Sequence, residues 1–208
     1  MSKIDLNELS SAQYDVLKEL GNIGAGNATT ALAQLINKKV DIGAPQVRLV
    51  DLNQVSTIIG SEEDIMVGIL IMLSGNVNGM MMFMMEHAVA RKLVNILMCK
   101  EENDDMMFDD VELSAVMEIG NIIAGTYLRA LSDMTNLEIE VSVPLLQIDM
   151  AGAILSVPAI EFSKIGDRVL MIETQFENGV DKNDYINGYY ILVPELESYE
   201  KILSSLGM

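Results

Sequence analysis

Apolar residues recur at helical spacing in two long segments of this chain. The recurring positions are Val16, Leu20 and Ile23 in the first segment, and Val116, Ile119 and Ile123 in the second. Side chains three or four residues apart lie on the same side of an α-helix, so each segment has one apolar face. The pattern therefore predicts two long helices, over residues 13–37 and 111–136.

Short apolar runs follow each predicted long helix. They cover residues 40–42 and 47–50 after the first helix, and residues 139–143 and 145–148 after the second. A short helical segment, two longer strands and a final helix come next in both cases, and the final helices are predicted over residues 87–98 and 198–206. Helices segregated from hairpin-connected strands are typical of an α+β or mixed α/β fold, whereas a doubly wound parallel sheet would require regular strand–helix alternation.

Residues 65–85 carry no charged side chain, and a segment of this length could span a bilayer. Its centre, Ser74-Gly75-Asn76-Val77-Asn78-Gly79, is however typical of a turn. We therefore predict a hairpin of two buried strands, over residues 69–73 and 80–85, and no membrane insertion. The methionines of these two predicted strands are expected to be flexible core filler; they are Met72, Met80, Met81, Met82, Met84 and Met85.

The chain resembles itself when it is shifted by 99 residues. Glu19 then falls on Glu118, the triplet Gly21-Asn22-Ile23 falls on Gly120-Asn121-Ile122, and Pro45 falls on Pro144. A weaker match at a shift of 109 indicates an insertion of ten residues, which we place in the polar stretch 178–187. We interpret the chain as two repeats, residues 1–105 and 106–208, forming one integrated unit and joined by an acidic loop at residues 100–105.

Three polar residues in each predicted long helix are spaced i, i+4 and i+7, so they share one face. They are Asp15, Glu19 and Asn22 in the first helix, and Ser114, Glu118 and Asn121 in the second. A proline follows each asparagine at the same distance, at Pro45 and Pro144. Both repeats therefore contain the pattern [Asp/Ser]-x3-Glu-x2-Asn-x22-Pro.

A glutamate and an asparagine on a helix can simply belong to its solvated face. The neighbouring pairs Lys18/Met117 and Asn27/Thr126 differ between the repeats, however, while the glutamate and the asparagine recur. Common descent of the repeats explains part of this likeness, but the selective retention favours a functional role for the two Glu-x-x-Asn pairs.

Net charge excludes some classes of partner. The formal charge is −18, which argues against binding nucleic acid or an anionic membrane surface, because both require clusters of Lys and Arg. The single cysteine, Cys99, rules out an intramolecular disulfide, and the first residues lack the apolar core of a signal peptide. We expect a cytoplasmic protein.

Other kinds of site fit the sequence poorly. The glycines of Gly21-x-x-Gly24-x-Gly26 are not in the order of a dinucleotide-binding loop, and we expect them to allow another backbone or a partner to approach the helix closely. The single histidine, His87, lies in neither motif, which disfavours a helical di-metal site and Ser-His-Asp or Cys-His catalysis. We expect His87 to be a surface or cap residue without a catalytic role.

A glutamate and an asparagine can still catalyse by positioning. An asparagine amide can hold a water in line with a phosphorus atom, as glutamine does in GTPases, and a glutamate one turn earlier can pair with a cation of the partner. Such a site acts on a substrate that brings its own metal ion and activated phosphoryl group.

The stretches Glu19-Leu20-Gly21-Asn22-Ile23-Gly24-Ala25-Gly26-Asn27 and Glu118-Ile119-Gly120-Asn121-Ile122-Ile123-Ala124-Gly125, with Pro45 and Pro144, resemble the two signatures of the CheC-type chemotaxis phosphatases. This family includes the CheX and FliY phosphatases. The resemblance implies a pseudosymmetric α/β unit with two exposed long helices, which hydrolyses the aspartyl phosphate of the response regulator CheY.

The same resemblance implies roles for individual residues. Glu19 and Glu118 would pair with a lysine of CheY, while Asn22 and Asn121 would enter the CheY active site and orient the attacking water. Asp15 and Ser114 would support the motif. No cofactor of its own is implied, since the Mg²⁺ ion is held by CheY.

The resemblance also implies a second partner, the receptor deamidase CheD. The matching segment begins near Asp149, Met150, Ala151, Ala153 and Ile154, in a helix that Pro158 is expected to limit to about two turns. Two alternatives to the phosphatase remain: a mainly non-catalytic CheD-binding adaptor, and a structural component similar to the flagellar switch.

Overall fold

The computed structural model describes residues 9–37, 40–42, 46–101, 105–162, 168–178 and 185–208. The helices are α1 (Ser11–Leu35), α2 (Leu52–Ile59), α3 (His87–Leu97), α4 (Asp110–Thr135), α5 (Ala151–Phe162) and α6 (Leu196–Ser205). The strands are β1 (Val40–Ile42), β2 (Gln46–Asp51), β3 (Ile65–Gly75), β4 (Gly79–Glu86), β5 (Ile139–Val141), β6 (Leu145–Met150), β7 (Arg168–Asn178) and β8 (Tyr185–Pro194). The element order α-β-β-α-β-β-α thus occurs twice, while the repeat boundary between residues 105 and 106 stays a prediction.

The strands form one mixed-order sheet in which every described pairing is antiparallel. Its centre is the four-strand run β7-β8-β4-β3. The two short strands β1 and β2 pair in turn along β7, and β5 and β6 pair in the same way along β3. The predicted mixed α/β class is confirmed, and no parallel pair occurs among the described strands.

Helices cover both faces of the sheet, and the alternation of side chains along each strand divides the core in two. On β4, Met81, Phe83 and Met85 join the core under α1 and α4, together with residues of α3 and α6. The intervening Met80, Met82 and Met84 join the core under α2 and α5. A strand buried on both faces needs apolar residues at successive positions, which accounts for the uncharged segment 65–85.

The predicted hairpin in this segment is confirmed, and both of its strands are longer than predicted. Met72 departs from the expected core role because its side chain is 40% exposed, whereas the other five methionines are buried. In the described part of the chain, no helix combines the length and the hydrophobicity needed to cross a membrane.

Contacts between α1 and α4 require a glycine. A Cβ atom on Gly24 would lie 2.4 Å from Cε2 of Tyr127, so the ring occupies the space that any other residue at position 24 would fill. The ring of Tyr127 in turn stacks on Tyr190 of β8, with centroids 5.6 Å apart. The two long helices are thereby packed against each other and onto the centre of the sheet.

The connection between α3 and α4 is held by buried polar side chains. His87 is only 6% exposed, so the prediction of a surface residue was wrong; its ring Nε2–H donates to the Met106 carbonyl at 3.0 Å. Arg91 donates to the carbonyls of Asp105 and Met107 and lies over the ring of Phe108, 3.9 Å from its centroid. The burial of His87 lowers its pKa below the usual 6.5, so the ring is held neutral.

A buried carboxylate completes this cluster. Glu112 of α4 accepts from Lys100 Nζ at 2.8 Å and pairs with Arg91 at 2.9 Å. These hydrogen bonds, from Lys100 first and Arg91 second, lower the pKa of Glu112 to about 2. Glu112 also closes a capping box with Asp109, so the start of α4 is fixed by the same charges that bind the connection.

Candidate functional site

The first motif lies on the solvent face of α1. The helix begins with a capping box, in which the Ser10 hydroxyl accepts from the Gln13 backbone N–H at 3.2 Å. Because Leu17 and Leu20 turn toward the core, Asp15 and Glu19 lie on the opposite side and are exposed. Asn22, one turn after Glu19, is half-buried.

The second motif lies on the solvent face of α4 in the same arrangement. Val116 and Ile119 are buried, while Ser114, Glu118 and Asn121 are exposed. The Ser114 hydroxyl donates to the carbonyl of Asp110 at 2.8 Å and is therefore engaged within its own helix. The structure places the three predicted residues of each motif on one face, as their spacing indicated.

Both motif glutamates are available to a partner. Neither Glu19 nor Glu118 forms a hydrogen bond or an ion pair with another described residue, and both are exposed. A carboxylate in this state loses little on pairing with an incoming cation, since no internal partner has to be released.

The two asparagines differ in their surroundings. The Oδ1 atom of Asn22 is buried and has no hydrogen-bond partner in the part of the chain that the structure describes, whereas Asn121 is exposed. A buried acceptor without a partner is unfavourable by about 1–3 kcal/mol, so the amide of Asn22 is held in a state that a rotation or an incoming donor would relieve.

A glycine immediately before each asparagine brings the helix onto the sheet. A Cβ atom on Gly21 would lie 2.6 Å from Cγ2 of Val47, and a Cβ atom on Gly120 would lie 2.1 Å from Cδ1 of Ile69. A glycine inside a helix costs about 1 kcal/mol relative to alanine, and here the close packing on the strand offsets that cost. At Gly21 the predicted close approach is thus to the sheet of the same chain, and Gly120 makes an equivalent approach that was not predicted.

The motif prolines lie away from the helix faces. Pro144 is half-buried in the break between β5 and β6, which pair with separate stretches of β3; a proline suits this break because it has no N–H to donate to a neighbouring strand. Pro45, its counterpart, lies outside the described residues. The supporting role predicted for the two prolines stays a prediction.

The segment predicted to bind CheD spans the end of β6 and the start of α5. Ala151 and Ile154 are buried in the core under α5, while Met150 and Ala153 are exposed and Asp149 is half-buried. The Asp149 carboxylate accepts from the backbone N–H of Met150 at 2.8 Å. Of the five residues, Met150 and Ala153 are thus the exposed ones, and the predicted role of the segment in binding CheD stays a prediction.

An apolar cavity of about 320 Å³ opens beside this segment. Leu70 and Met82 line it from β3 and β4, and Asp149, Ala153 and Val157 line it from β6 and α5. The expected end of α5 at Pro158 was wrong: the proline is buried within the helix, which continues to Phe162. The packing of α5 on the sheet outweighs the local preference of proline for a helix end.

Sequence reasoning missed the cluster of His87, Arg91 and Glu112. The spacing Asp109-x-x-Glu112 could have signalled its capping box. A search of the described residues finds no group of three or more His, Cys, Asp or Glu side chains placed to hold a metal ion.

The chain is similar to proteins of one family. Residues 13–48 and 111–148, which contain the two motifs, match the model of the CheC-like family. Over 203 residues the chain is 32% identical to the CheY-P phosphatase CheC of Bacillus subtilis, and the match covers 97% of both proteins.

Solved structures share the fold at lower identity. The FliY structure from Thermotoga maritima matches with a TM-score of 0.74 and 20% identity, covering 96% of this chain and 98% of that one. A chain of the CheX–CheY complex with BeF3 and Mg²⁺ from Borrelia burgdorferi matches with a TM-score of 0.52 and 18% identity, covering 85% of this chain and 96% of that one. These likenesses concern the fold alone.

Proposed function

Because the chain belongs to the CheC-like family, we propose that it hydrolyses the aspartyl phosphate of the response regulator CheY. The observation that carries this proposal is the presence of two Glu-x-x-Asn pairs on the exposed faces of two long helices. The similarity to a CheY-P phosphatase over nearly the whole chain supports the same activity.

Each pair contributes one half of a catalytic centre. The exposed carboxylate of Glu19 or Glu118 pairs with a lysine of CheY and orients the docked partner. The amide of Asn22 or Asn121 then holds a water in line with the phosphorus atom, so that the rate rises by positioning and not by a new nucleophile. CheY supplies the phosphoryl group and its Mg²⁺ ion.

The test follows the decay of phosphorylated CheY with and without this protein. We expect the protein to accelerate the decay, and the double variant Asn22→Ala/Asn121→Ala to remove the acceleration. Loss of a positioned catalytic amide lowers a rate by about 10²–10³, which is easily measured.

The matched control is Asn27→Ala. Asn27 is exposed on α1 but lies off the face that carries Glu19 and Asn22, so this variant is expected to keep full activity. Full activity in the double variant would overturn the water-positioning role. The absence of acceleration by the unmodified protein would overturn the phosphatase itself and favour the adaptor.

We also propose that CheD binds beside α5. The cavity of about 320 Å³ supports this proposal, since it presents apolar surface next to the exposed Ala153 and the carboxylate of Asp149. Ala153→Glu should weaken binding of CheD in a titration, because the new side chain would enter the cavity and bring a charge onto apolar surface. Ala88→Glu, at an exposed position on α3, is the control; equal binding by both variants would place the CheD contact elsewhere.

The cytoplasm is the compartment that this function requires. Cys99 is exposed and free, which is compatible with a reducing environment.

A further inference from the structure

Two glycines on the motif faces are not required by any packing contact among the described residues. Gly26 and Gly125 lie one turn after Asn22 and Asn121, on the side of α1 and α4 that carries the glutamates. We propose that these glycines are positioning residues, over which the main chain of CheY packs so that each asparagine reaches the phosphoryl group. This inference rests on the proposed function.

The glycines under the helices provide the contrast. At Gly21, Gly24 and Gly120 an added Cβ would meet a neighbouring side chain at 2.6 Å or less, so internal packing demands glycine there. At Gly26 and Gly125 an added Cβ would have no neighbour within 4 Å among the described residues, apart from the nearby backbone of its own helix. Alanine would therefore fit both positions in the protein by itself.

Glycine is nevertheless unfavourable inside a helix, because it has the largest backbone entropy to lose. Gly26 and Gly125 lie well within α1 and α4, and neither has the positive φ that would call for glycine. These two glycines destabilise their own helices, and no contact within the described chain requires them. We therefore attribute them to a contact with a binding partner.

Gly26 and Gly125 are kept in both repeats, and common descent of the repeats does not by itself explain this. Position 24 must be glycine because the ring of Tyr127 fills the space beside it. The counterpart of Gly24 in the second repeat is Ile123. Glycine is thus exchanged in this helix where packing allows it. Gly26 and Gly125 match each other and keep the same distance from the asparagine.

The geometry indicates what the glycines accomplish. Because glycine has no side chain, the helix backbone is uncovered beside each asparagine. The main chain of a partner can therefore approach the helix more closely there than it could over an alanine. This matters most on α1, where Asn22 is half-buried and reaches less far than the exposed Asn121. The occupant is the part of CheY next to its phosphorylated aspartate, because the asparagine must reach that phosphoryl group.

The experiment compares Gly26→Ala/Gly125→Ala with the unmodified protein in three measurements. These are the thermal unfolding midpoint, the dissociation constant for CheY activated with BeF3, and the concentration of phosphorylated CheY that gives half-maximal acceleration. We expect an equal or higher midpoint, since alanine favours the helix, with a rise of about tenfold in both concentrations from steric overpacking at the contact.

Asn27→Ala is the matched control, because it also raises the helix propensity of α1 but leaves the motif face unchanged. It is expected to raise the midpoint and leave both concentrations as they are. A role confined to the fold would lower the midpoint of the double glycine variant, and this result would overturn the proposal. Unchanged binding at an equal or higher midpoint would overturn it as well.

The binding measurement separates this inference from the phosphatase. If the unmodified protein binds activated CheY without accelerating its decay, the phosphatase fails, and the glycine variants still decide the docking role. If the unmodified protein does not bind activated CheY at all, both proposals are overturned.

Discussion

On α1 the amide of Asn22 is half-buried and its Oδ1 atom has no partner among the described residues, whereas on α4 the equivalent amide of Asn121 is exposed. Asn22 and Asn121 nevertheless occupy the same place in the same motif. The two sites also differ at the first motif position, since the Ser114 hydroxyl is engaged with the carbonyl of Asp110 and Asp15 is an exposed acid. Equal spacing in the sequence thus fixes the face of the helix but not how ready each side chain is to meet a partner.

The starts of the two helices differ as well. α1 begins with an uncharged capping box of Ser10 and Gln13, and α4 begins with a charged box of Asp109 and Glu112. Within the described residues only the second box is joined to cations, because Lys100 and Arg91 both pair with Glu112. The helix that contains the second motif is therefore fixed at its first turn by ion pairs with Arg91 of α3 and Lys100 of the preceding connection.

The largest expected effect concerns the asparagines taken singly. Asn121→Ala should lower the acceleration of CheY dephosphorylation more than Asn22→Ala does, because the exposed amide is already presented to the partner. Each substitution lowers the rate at its own site by about 10²–10³, so the activity left in each variant reports the other site. Initial rates of phosphate release measure both; equal losses would show that the burial of Asn22 has no influence on catalysis.

The next effect concerns the packing under each motif. Gly120→Ala and Gly21→Ala should each lower the free energy of unfolding by about 1–3 kcal/mol, because the new methyl group overpacks the interface with the sheet. We expect Gly120→Ala to be the more damaging, since three atoms of Ile69 lie within 3.1 Å of the added Cβ. Urea denaturation of the two variants tests the order, and the reverse order would mean that α1 lies on the tighter interface.

A smaller effect should separate the two helix starts at acidic pH. The folded-state pKa of Glu112, at about 2, is below its ordinary value of 4.5. The stabilising contribution of its charge is therefore complete above pH 4.5 and is lost as the pH falls toward 2. The box of Ser10 and Gln13 has no such group.

Hydrogen-exchange protection measures this difference. Between pH 4.5 and 2, the first turn of α4 should lose protection relative to the first turn of α1. Glu112→Gln should remove the pH dependence, and equal loss at both helix starts in the unmodified protein would exclude Glu112 as the cause. The lowered pKa of His87 also makes the folded state less stable at acidic pH. As the pH drops below 6.5, the unfolded chain binds a proton at His87 more readily than the folded chain does, so the free energy of unfolding falls.

Much of the fold follows from local patterns. The predicted helix over residues 13–37 is observed as Ser11–Leu35, and the one over 111–136 as Asp110–Thr135. The turn residues at 74–79 placed the hairpin correctly, although both of its strands extend further than predicted. Periodicity and turn chemistry act over a few residues, and these elements obey them.

Features that depend on contacts between residues far apart in the chain could not be predicted from the sequence. The burial of His87 follows from the path of the connection over α3, and the continuation of α5 past Pro158 follows from packing on the sheet. The exposed faces of Glu19 and Glu118 were predictable from spacing. The half-buried state of Asn22 was not, because it depends on the neighbours that tertiary packing brings to α1.

The arrangement of the short strands has a consequence for the covalent continuity of the chain. β1 and β2, from before the connection, lie on β7, which comes after it, and β5 and β6 lie in return on β3. A cut between Glu101 and Asp105 would therefore leave two fragments that hold each other's edge strands, and we expect them to remain together as one particle. Either fragment by itself would expose the edge of a long strand, a surface that invites pairing with a second copy of the same fragment. Because the connection joins the two halves covalently, the short strands of each half pair with the long strand of the other half within one molecule. Without it, the same pairing would be an exchange of strands between two molecules.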